Sequence, residues 1–225
     1  MGIFDRFRGT RPTAPVRPQP GSSLGTGDSD DEFTEEELTE AVRESLLPGF
    51  FDEDEVIERV ADAYDLADDD PRLLKTVERV VDEHEQRIAS GRGPSDYDRL
   101  SAAFRQLEQE GVVARMNFTC CSSCGFTEID DERTPLDRVI NGEYRYLERE
   151  FVFFHHQDAE RLVDPPALLY LGYGSFLREP SDVDEQAGRH VAQVLEQHGF
   201  DVDWDGDVQA RICVQISDWR KPLPV

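Results

Sequence analysis

Three of the four cysteines stand close together, in the run NFTCCSSCGF over residues 117–126. Cys121 and Cys124 have C-x-x-C spacing, Cys120 precedes them and Gly125 follows them. Zinc knuckles use this spacing with a left-handed glycine that lets backbone amides turn toward the thiolates, and dithiol redox sites use the same spacing. Reduced cysteines that only fill space are the third interpretation. The run therefore predicts metal binding, thiol redox chemistry or packing.

A zinc site here needs ligands beyond the C-x-x-C pair, because structural zinc takes four. The chain has no second C-x-x-C, so the candidates are Cys120, His155, His156 or a ligand from another subunit. Successive side chains of a strand point to opposite faces, so at most one of the two histidines can face the cysteines. We predict a tetrahedral site of Cys120, Cys121 and Cys124 with His155 or His156, which requires the preceding strand to break at Cys120.

The redox interpretation places the same pair at the start of a long helix, whose dipole lowers the thiol pKa. The residues that follow, GFTEIDDERTP, show no clear helix before Pro135. Glu128, Asp130 and Asp131 are expected to raise the pKa of nearby thiols. These features weaken the redox interpretation without removing it. Cys213, in an apolar predicted strand, is interpreted as a packing residue.

No further motif supports catalysis. The H-x-D from His156 to Asp158, with a distant His190 or His198, has the spacing of an iron(II) triad, but the barrel that holds such triads is not predicted. The run GYGSF over residues 172–176 lacks the second glycine of a nucleophile elbow and the third of a dinucleotide loop. An enzyme therefore stays an alternative that rests on the cysteines and the paired histidines.

The chain of 225 residues is strongly acidic, with a net charge of −25 and only Lys75 and Lys221 as lysines. Nucleic-acid binding needs clustered lysine and arginine, so this charge excludes a DNA or RNA reader. Solubility, a salty cytoplasm or docking of a basic partner would each account for the acidity. No apolar run is long enough for a membrane span or a secretory signal, which makes the reducing cytoplasm the expected location.

Composition divides the chain into three parts. We expect residues 1–33, rich in Pro, Gly, Ser and Thr, to be a disordered leader, in which residues 1–8 can contact a membrane or a partner weakly. Residues 34–111 are predicted to form a helical unit. Residues 112–225 are predicted to form an α+β domain that carries the cysteine motif.

Helix signals recur four times before Gly111. Thr34 forms a capping box with Glu37 at the first start, and Asp70 caps the third helix. The second helix is predicted to start near Asp52 and the fourth at about Ser95. The apolar stripes that follow are most simply the core of a small bundle.

Beyond Gly111 the pattern changes to strands. The runs VVARMNFTC, EFVFFHH and ALLYLGYG read as strands, and the second is apolar on both faces, as in the centre of a sheet. A helix is predicted over residues 183–198, a shorter one after Pro135, and a type I′ hairpin at Asp205 and Gly206. The predicted fold is α+β, with an N-terminal helical unit packed on a mixed sheet of about five strands with two helices.

Three runs, GVVARMNFTCCSSCGFTEI, FVFFHHQDAERLV and WDGDVQARICVQI, resemble an uncharacterised family of bacterial domains of unknown function. That family carries N-F-T-C-C-x-x-C-G and a strand like V-F-Y-H-x-Q-D-T-E, and the similarity covers roughly residues 36–220. The resemblance implies that the recurrent motif is matched by Asn117, Cys120, Cys121, Cys124, His155, Gln157, Asp158 and Glu160. Two positions depart from the family motif: His156 is a second histidine, and Ala159 replaces a common Thr. No activity is implied.

The predicted function is a soluble binding or interaction module in which zinc, if bound, fixes the loop after the first strand. One alternative is a thiol-dependent or metal-dependent enzyme that uses Cys121 or Cys124 with His155 or His156. Another is an acidic partner or inhibitor of a basic protein.

Overall fold

A computed structural model describes residues 33–140, 143–177 and 182–224. The predicted disordered leader, with its contact segment of residues 1–8, lies outside the described residues except for Phe33. Within the described ranges, no helix has the length and apolar character needed to cross a bilayer.

Four helices open the described chain, and each begins directly after the residue that the sequence places at its start. They are α1 (Glu35–Leu46), α2 (Glu53–Tyr64), α3 (Pro71–Ser90) and α4 (Asp96–Gln109). Three of the four starts are full capping boxes. The cap side chain accepts the backbone N–H of the third helical residue, and the side chain of that residue accepts the backbone N–H of the cap. The third helix instead combines an aspartate cap with proline at its first position. The four helix predictions are confirmed.

The helices divide between two apolar clusters. Helices α1 to α3 pack around one another through residues such as Leu38, Val42 and Val77. Helix α4 joins a second cluster, in which Leu100 and Phe104 pack against strands. Residues 33–225 form one compact unit by their contacts. The boundary at residue 111 stays a prediction.

The rest of the described chain builds strands and three further helices. The helices are α5 (Ser122–Glu128), α6 (His156–Ala159) and α7 (Val183–Gln197). The strands are β1 (Val112–Arg115), β2 (Pro135–Ile140), β3 (Glu143–Tyr146), β4 (Glu150–Phe153), β5 (Ala167–Ser175), β6 (Val202–Asp203) and β7 (Ile212–Ile216). Five of them form a mixed sheet in the order β1-β4-β5-β7-β6, in which only β1 and β4 pair in parallel. The predicted α+β class is confirmed.

The interior strand β4, which lies between β1 and β5, is covered on both sides, as its apolar sequence predicts. Val152 and Phe154 face the cluster that includes α4 and α7. Phe151 and Phe153 face the opposite way, into a smaller cluster with Val113. This second side of the sheet carries α5 and therefore the cysteines.

Two local predictions are wrong. The short helix expected after Pro135 is instead the hairpin of β2 and β3, because the chain there is extended and pairs with the segment around Tyr146. The type I′ turn at Asp205 and Gly206 is absent, since that turn needs positive φ at both positions and only Gly206 has it, at 96°. A longer loop, residues 204–211, joins β6 to β7, whose antiparallel pairing is confirmed.

Candidate functional site

The two motif segments meet at one edge of the sheet, because the parallel strands β1 and β4 end there side by side. Beyond the strand ends, the N–H of Phe118 donates to the carbonyl oxygen of Phe154 at 2.8 Å. The N–H of His156 donates to the carbonyl oxygen of Thr119 at 3.1 Å. The cysteine run and the histidine run are therefore held together by backbone hydrogen bonds.

The chain between β1 and the cysteines bends sharply. β1 ends at Arg115, well before the break at Cys120 that the zinc prediction requires. Asn117 and Thr119 both have positive φ, of 52° and 59°. Asparagine enters this left-handed region readily, whereas a β-branched residue there is unusual and marks a backbone held in place by its surroundings. These two bends direct the chain onto the second face of the sheet.

The three sulfurs lie in one group at the start of α5. The Sγ atoms of Cys120, Cys121 and Cys124 all lie within 4.8 Å of one another, and those of Cys120 and Cys124 are 3.5 Å apart. Cys121 is the N-cap of α5, and Cys124 lies one turn later. The prediction that no helix follows the cysteines is therefore wrong. Cys120 is exposed and the other two are partly exposed, so the group is open to solvent.

Gly125 is explained by packing rather than by a left-handed turn. Its φ is not among the positive values, and it lies inside α5. A Cβ at this position would lie 2.3 Å from Cε2 of Phe153, which is fully buried. Only glycine lets α5 lie this close to the sheet. Phe126 continues the contact, edge-on to Phe153 at 5.1 Å between ring centroids.

The surroundings shift the pKa values of Cys121 and Cys124 in opposite directions. The backbone N–H of Cys124 donates to the sulfur of Cys121 and lowers the pKa of that thiol, and the neighbouring cysteine side chains add to the effect. The interaction with Cys120, followed by that with Cys121, raises the pKa of Cys124 to about 12. The expectation that acidic neighbours raise the pKa of Cys121 is wrong, because backbone donors dominate.

His155 belongs to a buried ion-pair network. Its Nε2 lies 3.0 Å from Oδ2 of Asp158, and Arg211 holds the same carboxylate at 2.5 and 3.1 Å. Burial lowers the pKa of His155, although the Asp158 charge opposes this. The ring nitrogen Nδ1 is buried without a hydrogen-bond partner. His155 is thus a packed histidine outside the sulfur group.

His156 points the other way, toward the helices. Its ring lies edge-on to Phe51 at 5.4 Å, and burial, followed by the charge of Arg59, lowers its pKa. It lines a small cavity of about 60 Å³ together with Asn117 and Glu160. Oδ1 of Asn117 is buried and has no partner in the described structure, and this polar cavity has room for water.

The structure therefore brings some predicted site residues together and leaves others apart. Among the described residues, no histidine or carboxylate joins the three sulfurs. Gln157 and Glu160 of the implied motif are exposed. Arg211 was missed by the sequence reasoning, because a single arginine after a predicted turn carries no signal of the buried aspartate that it neutralises.

The remaining histidines and Cys213 have other surroundings. His190 lies between Glu150 and Glu110, at 2.7 and 2.6 Å, and His198 bonds to the side chain of Gln106. Cys213 lies opposite Tyr170 in the sheet. None of these residues is part of the sulfur group.

Comparison with known proteins gives one match. The family model "Domain of unknown function (DUF6891)" matches residues 30–223. No curated protein matches the chain. No solved structure matches it either.

Proposed function

This chain belongs to the DUF6891 family, and we propose that it is a binding module whose three-cysteine group holds a thiophilic metal ion, with Zn²⁺ the metal expected. The observation that carries the proposal is the convergence of three sulfurs within 4.8 Å at a solvent-accessible helix start.

The spacing of the sulfurs fits a tetrahedral metal site. Zinc–sulfur bonds of about 2.3 Å place two thiolates of a tetrahedron about 3.8 Å apart. The 3.5 Å between Cys120 and Cys124, with all pairs under 4.8 Å, agrees with that edge length. Thiolates also suit Cu(I) and iron–sulfur clusters, but three cysteines, two of them at C-x-x-C spacing, are a common set of zinc ligands.

A bound ion would cross-link the bend to the helix. Cys120 belongs to the strained segment after β1, whereas Cys124 belongs to α5, which packs on the sheet through Gly125. Joining these two parts would fix the edge at which the two motif runs meet. We also propose that the module binds a protein partner and that it lies in the reducing cytoplasm, where the cysteines stay free to bind metal.

The fourth ligand stays a proposal, with His155 or His156 as the candidates in this chain. His155 would have to leave Asp158, and His156 would have to leave its contact with Phe51. A ligand from solvent or from a partner requires neither change.

Elemental analysis tests the proposal on protein purified with reductant and without chelator or nickel resin. We expect one zinc per chain in the wild type and in Cys213→Ser, which removes the cysteine outside the group. Cys124→Ser should lose the metal. Reactive thiols should increase on addition of EDTA in the wild type. A metal-free wild type whose thiols all react at once would overturn the proposal, and His155→Ala and His156→Ala test the fourth ligand.

A second candidate is a thiol redox site. It is favoured by the 3.5 Å between two sulfurs and by the contrast between a lowered pKa at Cys121 and a raised one at Cys124. Cys120 and Cys124 would form a disulfide, passing two electrons and two protons to an external disulfide that becomes two thiols. Mass spectrometry after exposure to oxidised glutathione would then show a species lighter by two hydrogen atoms, absent in Cys124→Ser. A wild type whose mass is unchanged would remove this candidate.

A further inference from the structure

A second cavity lies between α1 and α3. Its volume is about 250 Å³, somewhat below the range of roughly 300–1,000 Å³ that holds drug-sized ligands. Phe33 and Leu38 supply apolar walls, and Leu38 is almost fully buried. The hydroxyl of Thr76 also lines the cavity but donates to the carbonyl oxygen of Arg72, so the floor offers little free polarity. A ligand that fits here is small and mainly apolar.

Three cations of α3 line the same cavity: Arg72, Lys75 and Arg79. Their spacing places them along one side of the helix. Arg72 is held by Asp70 at 3.0 Å and covers the ring of Phe33 at 5.0 Å, so it acts as a wall. The other two cations differ from it in their surroundings.

Lys75 and Arg79 form no ion pair within the described part of the chain, although carboxylates of α3 line an adjacent groove with them. Lys75 makes no hydrogen bond or ion pair there, and Arg79 donates only to the hydroxyl of Thr39, at 2.8 Å. The sequence has 49 acidic residues against 24 lysines and arginines. Glu35 is the one carboxylate among the described residues that line the cavity, against three cations, so the lining is positive within a strongly acidic chain and favours an anionic ligand.

We propose that this cavity binds a small carboxylic acid with an apolar chain. The apolar body would lie against Phe33 and Leu38, and the carboxylate would face Lys75 and Arg79. Glu35 also lines the cavity, and its negative charge disfavours a doubly charged phosphate more than a singly charged carboxylate. This site is independent of the cysteine group.

Isothermal titration of the full chain with octanoate tests the proposal. We expect saturable binding of one octanoate with a dissociation constant in the millimolar range or tighter. Acetate, which lacks the apolar body, and octylamine, which reverses the charge, should not bind. Each of Lys75→Gln and Arg79→Gln should weaken binding about fivefold, as loss of a partly exposed ion pair predicts.

Arg105→Gln is the matched control, because Arg105 is an exposed helical arginine outside the cavity. Its affinity for octanoate should equal that of the wild type. Both cavity cations are exposed, so their variants should keep wild-type urea midpoints, and shifts of the Leu38 methyl resonances on titration locate the ligand. The proposal is overturned if octanoate binding does not saturate, if octylamine binds equally well, or if the variant that combines Lys75→Gln with Arg79→Gln keeps full affinity.

Discussion

Gly125 gives the sharpest test of how the cysteine helix is held. Replacing it by alanine adds a single Cβ on the face of α5 that lies against the sheet. That atom would lie 2.3 Å from Cε2 and 2.6 Å from Cζ of Phe153, distances that force something to move. The Phe153 ring is fully buried and lies edge-on to Phe118 and Phe126, so it has little space into which to move.

Two opposing effects set the size of the change. Adding a methyl group to a packed site costs about 1–3 kcal/mol. Alanine in place of glycine inside a helix returns up to about 1 kcal/mol. Because the overlap is large and Phe153 is confined, we expect Gly125→Ala to lower the free energy of unfolding by about 1–2 kcal/mol.

Urea unfolding followed by circular dichroism measures this change. Ser123→Ala is the matched control, since Ser123 is exposed on the same helix and should change stability by about 0.5 kcal/mol or less. Adding Phe153→Leu to Gly125→Ala should recover part of the loss, with a coupling energy of about 1 kcal/mol. Gly125→Asn separates the two explanations of the glycine: asparagine tolerates a left-handed turn but is larger, so packing predicts a greater loss than with alanine.

The reasoning is refuted if Gly125→Ala is as stable as the wild type or more stable. Helix propensity would then be the dominant effect, and α5 would not be pressed against Phe153. If Gly125→Asn lost less stability than Gly125→Ala, the left-handed turn would be the better explanation of the glycine.

Two further changes test other parts of the fold. Although burial opposes it, hydrogen bonding to Glu150 and Glu110 raises the pKa of His190, so its contribution to stability is complete below about pH 6.5 and is lost as pH rises through the raised pKa. In urea unfolding, His190→Gln should therefore lose less stability than the wild type as pH rises from about 6.5 through the raised pKa of His190, and parallel pH profiles would contradict this. Trp219→Phe should cost about 1–3 kcal/mol, because the carbonyl oxygen of Pro48 loses the indole donor at 3.0 Å and a void remains; an unchanged urea midpoint would show that this contact is dispensable.

Local signals were sufficient for the helices of the first half. Thr34, Asp52, Asp70 and Ser95 cap their helices through hydrogen bonds that span only two or three residues, so the sequence alone predicts them. The interior position of β4 was also predictable, because a strand buried on both faces is apolar at successive positions.

Non-local contacts account for what the sequence did not show. The segment after Pro135 pairs as a hairpin because Tyr146 and its neighbours lie opposite it, which no short window reveals. Helix α5 is too short to show a clear periodicity, and Gly125 resembles a turn residue until Phe153 is seen beneath it. Grouping of the three sulfurs followed from their spacing, whereas the placement of the two histidines depended on partners distant in sequence, such as Arg211 for His155.

The contact between Trp219 and Pro48 also bears on how fast the protein folds. It joins positions 171 residues apart, and the fully buried indole belongs to the cluster around the sheet. Closing so long a loop costs chain entropy before any contact compensates for it, so topologies of this kind fold slowly. Helices α1 to α3 all lie within residues 35–90, so closing their loops costs less chain entropy and they can associate earlier. We expect the sheet cluster to close in the last kinetic phase, with Trp219 forming its contacts only after the main barrier has been crossed.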